Sequence, residues 1–202
     1  MVGSIALCEG ERVVEEARVE APEGFGRVLF PRIGEFLERN GLKMAGIDCF
    51  AVASGPGSFT GVRVGLTAAK GLAEAMGKPV VAVSNLKAMA WFGGAPLRCA
   101  ISDARRRQVY AAVYDAELRL QGEEVVTGLA EWVERLPSDG IEFVTQDLAL
   151  LGEWPGTLAP KELAGTIGRI AWREFAEGRA KDAADIDANY VRRTDAELKW
   201  RD

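Results

Sequence analysis

The sequence predicts an α/β fold in which a mixed β-sheet carries helices on its faces. Short apolar runs alternate with segments whose apolar residues recur at helical spacing. Two of the apolar runs, at residues 47–53 (interrupted only by Asp48) and at residues 80–83, lack the alternation of polar residues, as expected of strands that are covered on both faces. A glycine-rich turn joins the first of these runs to a helix, which is an arrangement typical of α/β proteins.

The first half of the chain is predicted to begin with a β-hairpin, because two strand-like segments meet at Gly10. Ile33, Phe36 and their apolar neighbours recur at helical spacing, and an Asn-Gly pair ends that helix. Gly77 ends the helix that follows the glycine-rich turn. The predicted elements of this half are strands at 3–9, 12–20, 47–53 and 80–83, and helices at 27–39, 59–76 and 85–92.

A Gly-Gly-Ala-Pro segment at residues 93–96 is the predicted boundary between two parts of the chain. We therefore expect residues 1–94 to form an N-terminal lobe and residues 95–202 to form a smaller C-terminal lobe. The predicted elements of the second part are strands at 97–102, 108–115, 118–126 and 141–145, and helices at 128–136 and 161–177. The order β-β-α-β-α-β-α followed by β-β-β-α-β-α is typical of mixed sheets flanked by helices.

Composition limits the partners and the chemistry of this chain. Its 202 residues carry a net charge of −5, and we interpret its one tight basic run, Arg105-Arg106-Arg107, as a solvated turn. We therefore expect weak affinity for tRNA in isolation, because nucleic-acid affinity depends on the neutralisation of phosphates. The chain contains no histidine. We accordingly expect no catalytic residue, no cofactor and no metal ion on this chain.

The cysteines and the chain's apolar stretches bear on its location. Cys8, Cys49 and Cys99 are far apart and each lies in an apolar run, which predicts buried, reduced thiols in a cytosolic protein. The N-terminus lacks the basic and then apolar pattern of a secretion signal. The longest apolar stretches are shorter than the ~20 residues that span a bilayer. We therefore expect a cytoplasmic protein that does not contact a membrane.

The glycine-rich turn fits neither of two common phosphate-binding motifs. In a P-loop the second glycine is followed by a lysine, but Gly57 and Gly61 are one residue too close together and Val62 stands at the lysine position. A dinucleotide-binding turn would use Gly55 and Gly57, but Thr60 stands where the third glycine is required. Both interpretations are therefore disfavoured.

Small residues recur every four positions along the helix that follows the turn. Such a row lets another helix approach closely. The row can pack on the chain's own sheet, although Val62, Leu66 and Leu72 are better candidates for that contact. We therefore expect the row to face another helix, either that at 27–39 or a helix of a second subunit. The predicted interface residues are Gly61, Gly65, Ala69, Ile33 and Phe36.

Four segments, read in order, resemble the signatures of one bacterial family. Residues 54–71 resemble G-P-G-S-F-T-G-x-R-x-G-x-x-x-A-K-G, and residues 79–88 resemble P-[LV]-x-x-V-S-[ST]-L-x-A. Residues 103–110 resemble D-A-R-x-x-x-V-Y, and residues 160–178, followed by 190–193 and 196–199, resemble a C-terminal helix with a Y-x-R-x-x-x-A-E tail. These are signatures of the tRNA threonylcarbamoyladenosine biosynthesis protein family TsaB, also called YeaZ.

This resemblance implies an actin/Hsp70-like (ASKHA) fold of two lobes. It implies a non-catalytic scaffold subunit of the complex that transfers threonylcarbamoyl from its adenylate to N6 of adenosine 37 in tRNA. The implied partners are the catalytic paralogue TsaD and the ATPase TsaE, with tRNA contacted only through the complex. One surface would serve both a homodimer and the heterodimer with TsaD. The histidine pair that binds metal in the paralogue has no counterpart here.

The chain departs from the family pattern at its start, and alternatives to the scaffold function stay open. The family's first strand, with its Asp-Thr-Ser-type turn, has no counterpart before Gly3, so we expect one edge of the hairpin to lack a neighbouring strand. The alternative function is a stand-alone nucleotide-dependent kinase or hydrolase, with Asp103 and Asp115 as candidate carboxylates. Asp103 is more simply interpreted as a turn cap. An unrelated α/β binding module is the third possibility.

Overall fold

The computed structural model describes residues 2–137 and 139–191. The strands are β1 (Val2–Glu9), β2 (Arg12–Glu20), β3 (Phe50–Gly55), β4 (Val80–Ser84), β5 (Leu97–Arg105), β6 (Gln108–Asp115), β7 (Val125–Thr127), β8 (Ile141–Thr145) and β9 (Gly156–Leu158). The helices are α1 (Phe25–Arg39), α2 (Phe59–Met76), α3 (Asn85–Ala90), α4 (Leu129–Val133) and α5 (Ala164–Ala176). Short 3₁₀ helices lie at Met44–Gly46, Leu148–Leu151 and Ala183–Asp185.

Within these residues the strands form three sheets. β1 and β2 form the predicted antiparallel hairpin, and β3 and β4 pair in parallel. The largest sheet has the order β7-β6-β5-β8-β9, with antiparallel pairs on one side of β5 and parallel pairs on the other. This mixture of parallel and antiparallel pairs confirms the predicted α/β class.

Helix α2 begins and ends where its capping residues place it. The Ser58 Oγ accepts a hydrogen bond from the Gly61 N–H at 3.3 Å, which satisfies one of the unpaired amides of the first turn. Gly77 ends the helix with φ +60°, a conformation that glycine adopts without a steric penalty. Both ends could be predicted because each depends on the local sequence alone.

Helix α5 connects the second half of the chain to the two small sheets. Its first amide, the Ala164 N–H, donates to the Ser4 Oγ of β1 at 3.1 Å. Ile167 and Ile170 pack in one buried cluster with Val81 of β4. The hairpin and the β3–β4 pair therefore lie side by side beneath α5. The predicted lobes at 1–94 and 95–202 stay a prediction, and α5 belongs by its packing to the first half.

The five-stranded sheet is covered on both faces, as alternate residues of β5 demonstrate. Ala100 packs with α3 and α5, whereas Cys99 and Ile101 pack on the opposite side with Trp132 of α4. The Trp132 Nε1 donates to the Cys99 sulfur at 3.2 Å. Burial raises the pKa of the Cys99 thiol to about 12. The prediction that Cys99 is a buried thiol is confirmed.

Glu142 of β8 fixes the segment that was predicted as the boundary. Its carboxylate accepts hydrogen bonds from the backbone N–H groups of Gly94 and Ala95 and from the Thr157 hydroxyl. Burial alone would raise the pKa of Glu142, but these hydrogen bonds and the charge of Arg98 lower it below its usual value. The segment is therefore held in place by an ionised carboxylate.

Some predicted boundaries are wrong for local reasons. The strand expected at 47–53 begins only at Phe50, because residues 47–49, which follow the 3₁₀ helix at Met44–Gly46, have no regular structure. The strand expected at 118–126 is reduced to β7, since Leu118 and Gly122 have φ values of +60° and +96° that turn the chain. β9 was not predicted. Three helices are shorter than expected: those predicted at 85–92, 128–136 and 161–177 are α3, α4 and α5.

An open cleft separates β1 from β3. In the described part of the chain β1 pairs with β2 alone and β3 pairs with β4 alone, as expected for a hairpin edge that lacks a neighbouring strand. The cleft has a volume of about 1620 Å³ and is lined by residues of both facing edges. None of the helices described here is at once long and apolar enough to cross a bilayer.

Candidate functional site

The glycine-rich turn is a tight loop between the end of β3 and the start of α2. Gly55 has φ +97°, which favours glycine at this position. A Cβ atom on Gly57 would lie 3.2 Å from the Asn85 Nδ2, so a side chain there would push against α3. These contacts give a physical reason for glycine at both positions of the turn.

The chain's own groups hold this loop from two sides. The Asn85 Nδ2 donates to the Pro56 carbonyl at 3.1 Å. From the C-terminal segment, the Asn189 N–H donates to the Ser54 carbonyl at 2.8 Å. A Cβ atom on Gly55 would lie 3.4 Å from the Asn189 carbonyl oxygen. The C-terminal segment therefore covers the loop at close range.

Glu124 is the centre of the hydrogen-bond network behind the loop. Its carboxylate accepts from the Tyr114 hydroxyl at 2.6 Å, from the Asn189 Nδ2 at 2.6 Å and from the Ser84 hydroxyl. Burial, and then the negative charge of Glu124, raise the pKa of Tyr114 well above its usual range. Tyr114 therefore stays protonated and donates to the carboxylate. We call Ser84, Tyr114, Glu124 and Asn189 the Glu124 network.

The C-terminal segment is also attached along α2. The Arg63 Nε donates to the Tyr190 hydroxyl at 2.8 Å, and the Arg63 guanidinium lies 3.7 Å from the centre of the Phe59 ring. The Lys70 Nζ donates to the Ile186 carbonyl at 2.8 Å. Two cationic side chains of α2 are thus engaged with the chain itself, and the segment is anchored at both ends of its path.

This arrangement is suited to holding the loop rather than to reacting with a ligand. A phosphate at the start of α2 would approach a region where Asn189 links the loop to the Glu124 carboxylate, whose negative charge disfavours an anion. Among the described residues there is no cluster of three or more His, Cys, Asp or Glu side chains placed to hold a metal ion. The site therefore contains side chains that position the glycine-rich loop, and the C-terminal segment covers that loop.

The two candidate carboxylates of the alternative function cap turns. The Asp103 Oδ1 accepts from the Arg105 N–H at 2.7 Å at the tip of the β5–β6 hairpin. The Asp115 Oδ1 accepts from the Glu117 and Arg119 N–H groups at 3.0 and 2.9 Å. Hydrogen bonds from Arg119 lower the pKa of Asp115. The interpretation of Asp103 as a turn cap is confirmed, and the two carboxylates lie at separate turns.

The arginine run occupies the tip of that hairpin. Arg105, Arg106 and Arg107 are exposed, and their φ values are +64°, +57° and +60°. Three successive non-glycine residues with positive φ are uncommon and cost roughly 1–2 kcal/mol each. The predicted solvated turn is confirmed, and its backbone is held in a conformation that local sequence preference does not favour.

The row of small residues on α2 faces the chain's own interior. Ala69 and Ala73 are buried in a cluster with Val52 of β3. A Cβ atom on Gly65 would lie 3.6 Å from the Val52 Cγ2, at ordinary contact distance. Gly61 is half-buried beside the Ser58 cap. This part of the row therefore packs on the chain's own strand β3, whereas the row was expected to face another helix, either that at 27–39 or one of a second subunit.

On α1, the predicted interface residues also point inward. Phe36 is only 4% exposed and Ile33 is half-buried. The outward row of α1 consists instead of Gly26, Phe30 and Gly34, which are four residues apart. Phe30 is 54% exposed, and a Cβ atom on either glycine would meet nothing within 4 Å. A role of the five predicted residues in a subunit interface stays a prediction, and we call Gly26, Phe30 and Gly34 the α1 row.

The Glu124 network was not predicted from the sequence. Glu124 lies 65 positions before Asn189, and neither belongs to a motif that sets it apart from other polar residues. The sequence carries only a weak signal of this network, which is that the acidic residue Glu124 directly precedes the apolar pair Val125-Val126. Only the packing of the second half on the first brings these residues together.

Comparison with known proteins identifies the family. The tRNA threonylcarbamoyladenosine biosynthesis protein TsaB of Bacillus subtilis is 33% identical over 213 residues, which cover 97% of this chain and 92% of that protein. The TsaB protein of Escherichia coli is 31% identical, with 81% of this chain and 79% of that protein covered. The chain belongs to the TsaB (YeaZ) family.

The family assignment agrees with a domain match and with solved structures. Residues 20–139 of this TsaB-family chain match the family model described as TsaD, tRNA N6-adenosine threonylcarbamoyltransferase. A Pseudomonas aeruginosa protein described as similar to peptidase YEAZ has a TM-score of 0.77 at 25% identity, covering 95% of this chain and 98% of that one. YeaZ from the same organism has a TM-score of 0.75 at 23% identity, covering 94% and 98%. The fold is actin/Hsp70-like, as the resemblance implied.

Proposed function

We propose that this chain is a non-catalytic scaffold subunit in tRNA threonylcarbamoyladenosine biosynthesis. Its partners are the catalytic paralogue TsaD, which transfers threonylcarbamoyl to N6 of adenosine 37, and the ATPase TsaE. The observation that carries the proposal is likeness over 97% of the chain to a protein named for this pathway. The match of residues 20–139 to the TsaD family supports descent of both subunits from one fold.

The non-catalytic part of the proposal is supported by the chemistry of the side chains. Histidine is the most common metal ligand and general base at neutral pH, and the sequence contains none. Burial raises the pKa of the Cys49 thiol to about 11 and that of Cys99 to about 12, which makes both poor nucleophiles at neutral pH. Neither cysteine is therefore suited to act as a nucleophile at neutral pH, and no histidine is present to activate a hydroxyl group.

The closed glycine loop supports the scaffold over the alternative of a stand-alone kinase or hydrolase. Such an enzyme would need a cation beside the phosphates at the loop and room for them to approach it. Here Asn85 and Asn189 hold the loop, the nearest network is centred on the Glu124 carboxylate, and Arg63 and Lys70 are engaged with the C-terminal segment. Calorimetry with ATP and a phosphate-release assay should both show no signal for the isolated chain.

We assign the α1 row as the contact surface for TsaD. Gly26, Phe30 and Gly34 form a flat stripe with one large exposed apolar side chain at its centre, a shape that accepts a partner helix at close range. Aromatic residues in the centre of an interface commonly dominate its binding energy. The same row would be covered in a homodimer, so dimer formation and TsaD binding should compete.

Co-purification with tagged TsaD tests this surface. Phe30→Asp should weaken TsaD binding by 2 kcal/mol or more, about thirtyfold in Kd, because a charged group would be buried at the contact. Leu120→Asp is the matched control, since Leu120 is 42% exposed but lies outside the row. Circular dichroism checks that both variants fold. Unchanged TsaD binding by Phe30→Asp would refute the assignment of the α1 row. It would not decide the scaffold function, which is tested separately by measuring threonylcarbamoyl transfer to tRNA.

A further inference from the structure

The tip of the β5–β6 hairpin carries arginines at positions where its backbone favours other residues. Arg105 pairs with Gln108, which leaves Arg106 and Arg107 as the two residues of the turn. Both have the positive φ that a type I′ turn requires, at +57° and +60°. Asn-Gly and Asp-Gly are the preferred pairs in this turn, and arginine is disfavoured because its Cβ crowds the backbone at positive φ. The tip therefore keeps two arginines at a cost to its own stability.

Packing in the core does not account for these arginines. Arg105, Arg106 and Arg107 are all exposed, and the side chain of Arg105 is 87% exposed. The Arg105 guanidinium lies 3.3 Å from the Asp103 carboxylate, but an ion pair that is this exposed contributes little to stability. Residues held in disfavoured backbone conformations are concentrated at functional sites. The chemistry of the exposed guanidinium groups is therefore the feature that needs an explanation.

The hairpin carries this tip past the neighbouring parallel strand. The last pair between β5 and β8 joins Ile101 to Thr145, and β5 continues for four further residues to Arg105. At about 3.3 Å per residue, the tip lies roughly 13 Å beyond that pair along the strand direction. A large ligand can therefore meet the tip without first displacing β8.

We propose that these three arginines contact backbone phosphates of tRNA when the chain is bound to TsaD, an inference that rests on the proposed function. A guanidinium is always charged, and its planar fork of N–H donors matches the oxygens of a phosphate. Contacts of this kind position a protein on a nucleic acid without reading its sequence. The isolated chain has a net charge of −5 and still binds tRNA weakly, because two or three phosphate contacts supply only part of the affinity.

The composition of the tip favours RNA over an acidic protein surface as its ligand. The buried centre of a protein interface combines arginine with aromatic or other apolar side chains. The segment at 103–107 offers none of these to a partner, since its one apolar residue, Ala104, is only 4% exposed. Phosphate contacts need positioned cations alone, and the tip presents three cations against the single carboxylate of Asp103.

Salt-dependent binding of unmodified tRNA to the complex of this chain with TsaD tests the proposal. Arg106→Asn combined with Arg107→Gly supplies the preferred turn pair and removes two cations. Fluorescence anisotropy should show affinity about tenfold weaker at low salt, and the slope of log K against log salt should fall by about 1.4–1.8, because each phosphate contributes about 0.7–0.9. The same double variant should melt about 2–6 °C higher, since its residues suit the turn, so unfolding cannot explain weaker binding.

Two further double variants are the controls. Arg106→Lys with Arg107→Lys keeps both charges and should keep the salt slope. Arg12→Gln with Arg179→Gln removes the same charge from exposed positions near the other end of α5, and should bind tRNA within about threefold of the unchanged chain. An equal loss in this variant would mean that overall charge alone matters, which would overturn the proposal.

Co-purification with TsaD separates failure of this inference from failure of the proposed function. Arg106→Asn with Arg107→Gly should bind TsaD as the unchanged chain does. If it loses TsaD, the tip contacts a protein and the proposal is wrong. If TsaD binding persists and the salt slope for tRNA is unchanged, the tip does not contact phosphates, although the scaffold function stands. If the unchanged chain itself does not bind TsaD, the proposed function fails and this inference fails with it.

Discussion

Removal of the Glu124 carboxylate tests the closed loop at its centre. Glu124→Ala deletes the acceptor of three hydrogen bonds, from Ser84, Tyr114 and Asn189. The side chains of Ser84 and Asn189 are half-buried and can form hydrogen bonds with water, which partly offsets the loss of their hydrogen bonds to Glu124. The Tyr114 hydroxyl belongs to a residue that is only 2% exposed and is left without an acceptor, which costs about 1–3 kcal/mol.

The total expected loss in the free energy of unfolding is about 2–4 kcal/mol, since each hydrogen bond to a charged group contributes about 1.5–3 kcal/mol before compensation. For a chain of this size the melting temperature should fall by about 4–15 °C. Urea unfolding gives the free energy, and hydrogen exchange at the Asn189 amide reports whether the segment still covers the loop. That amide donates to the Ser54 carbonyl in the intact fold.

The neighbouring residue supplies the control. Glu123 is exposed, so Glu123→Ala should change stability by less than about 0.5 kcal/mol. Tyr114→Phe combined with Glu124→Ala should destabilise less than the sum of the single changes, because both remove the same contact. If Glu124→Ala is as stable as Glu123→Ala and the Asn189 amide stays protected, the Glu124 network does not hold the loop and our account of the site is wrong.

Three further predictions concern packing, pH and thiol chemistry. Gly168→Ala should destabilise the chain by about 1–3 kcal/mol, because the added methyl group would overlap the Cys8 sulfur. Gly71→Ala, on the open surface of α2, should instead stabilise the chain by about 0.4–1 kcal/mol. Thermal unfolding of both variants checks these values. The lowered pKa of Glu142 means that its contribution to stability is present above its usual pKa near 4.5 and is lost as pH falls through the lower folded value. Glu142→Gln should therefore be less stable than the unchanged chain at pH 7, and the two should converge in urea unfolding at acid pH. Cys99 should stay unmodified by an alkylating reagent at pH 8 until the chain unfolds, as mass spectrometry of each cysteine would report.

The parts of this fold that depend on local sequence could be predicted. The hairpin turn at Gly10, the Ser58 cap and the Gly77 end of α2 are each specified within a few residues. The strand expected at 118–126 has the right apolar spacing, but Leu118 turns the chain through a left-handed conformation that its residue type does not signal. Three-residue strands such as β9 are too short to carry a pattern.

The candidate site depended on contacts between distant residues, which periodicity cannot reveal. The sequence indicates that the row of small residues on α2 is a packing surface, but the partner that it meets depends on where β3 lies. Small residues allow close approach of a strand as readily as of a helix, so the sequence alone leaves both partners open. The family resemblance, in contrast, was carried by ordered motifs and is confirmed by the comparison with curated relatives.

Formation of threonylcarbamoyladenosine in tRNA is the measurement that tests the scaffold function most directly. Unmodified tRNA and threonylcarbamoyl-adenylate are incubated with this chain, with TsaD and TsaE, or with all three proteins, and the modified nucleoside is quantified by mass spectrometry. We predict no product with this chain alone and product with TsaD and TsaE only when this chain is added. Product formed by the isolated chain, or formed equally well without it, would contradict the account.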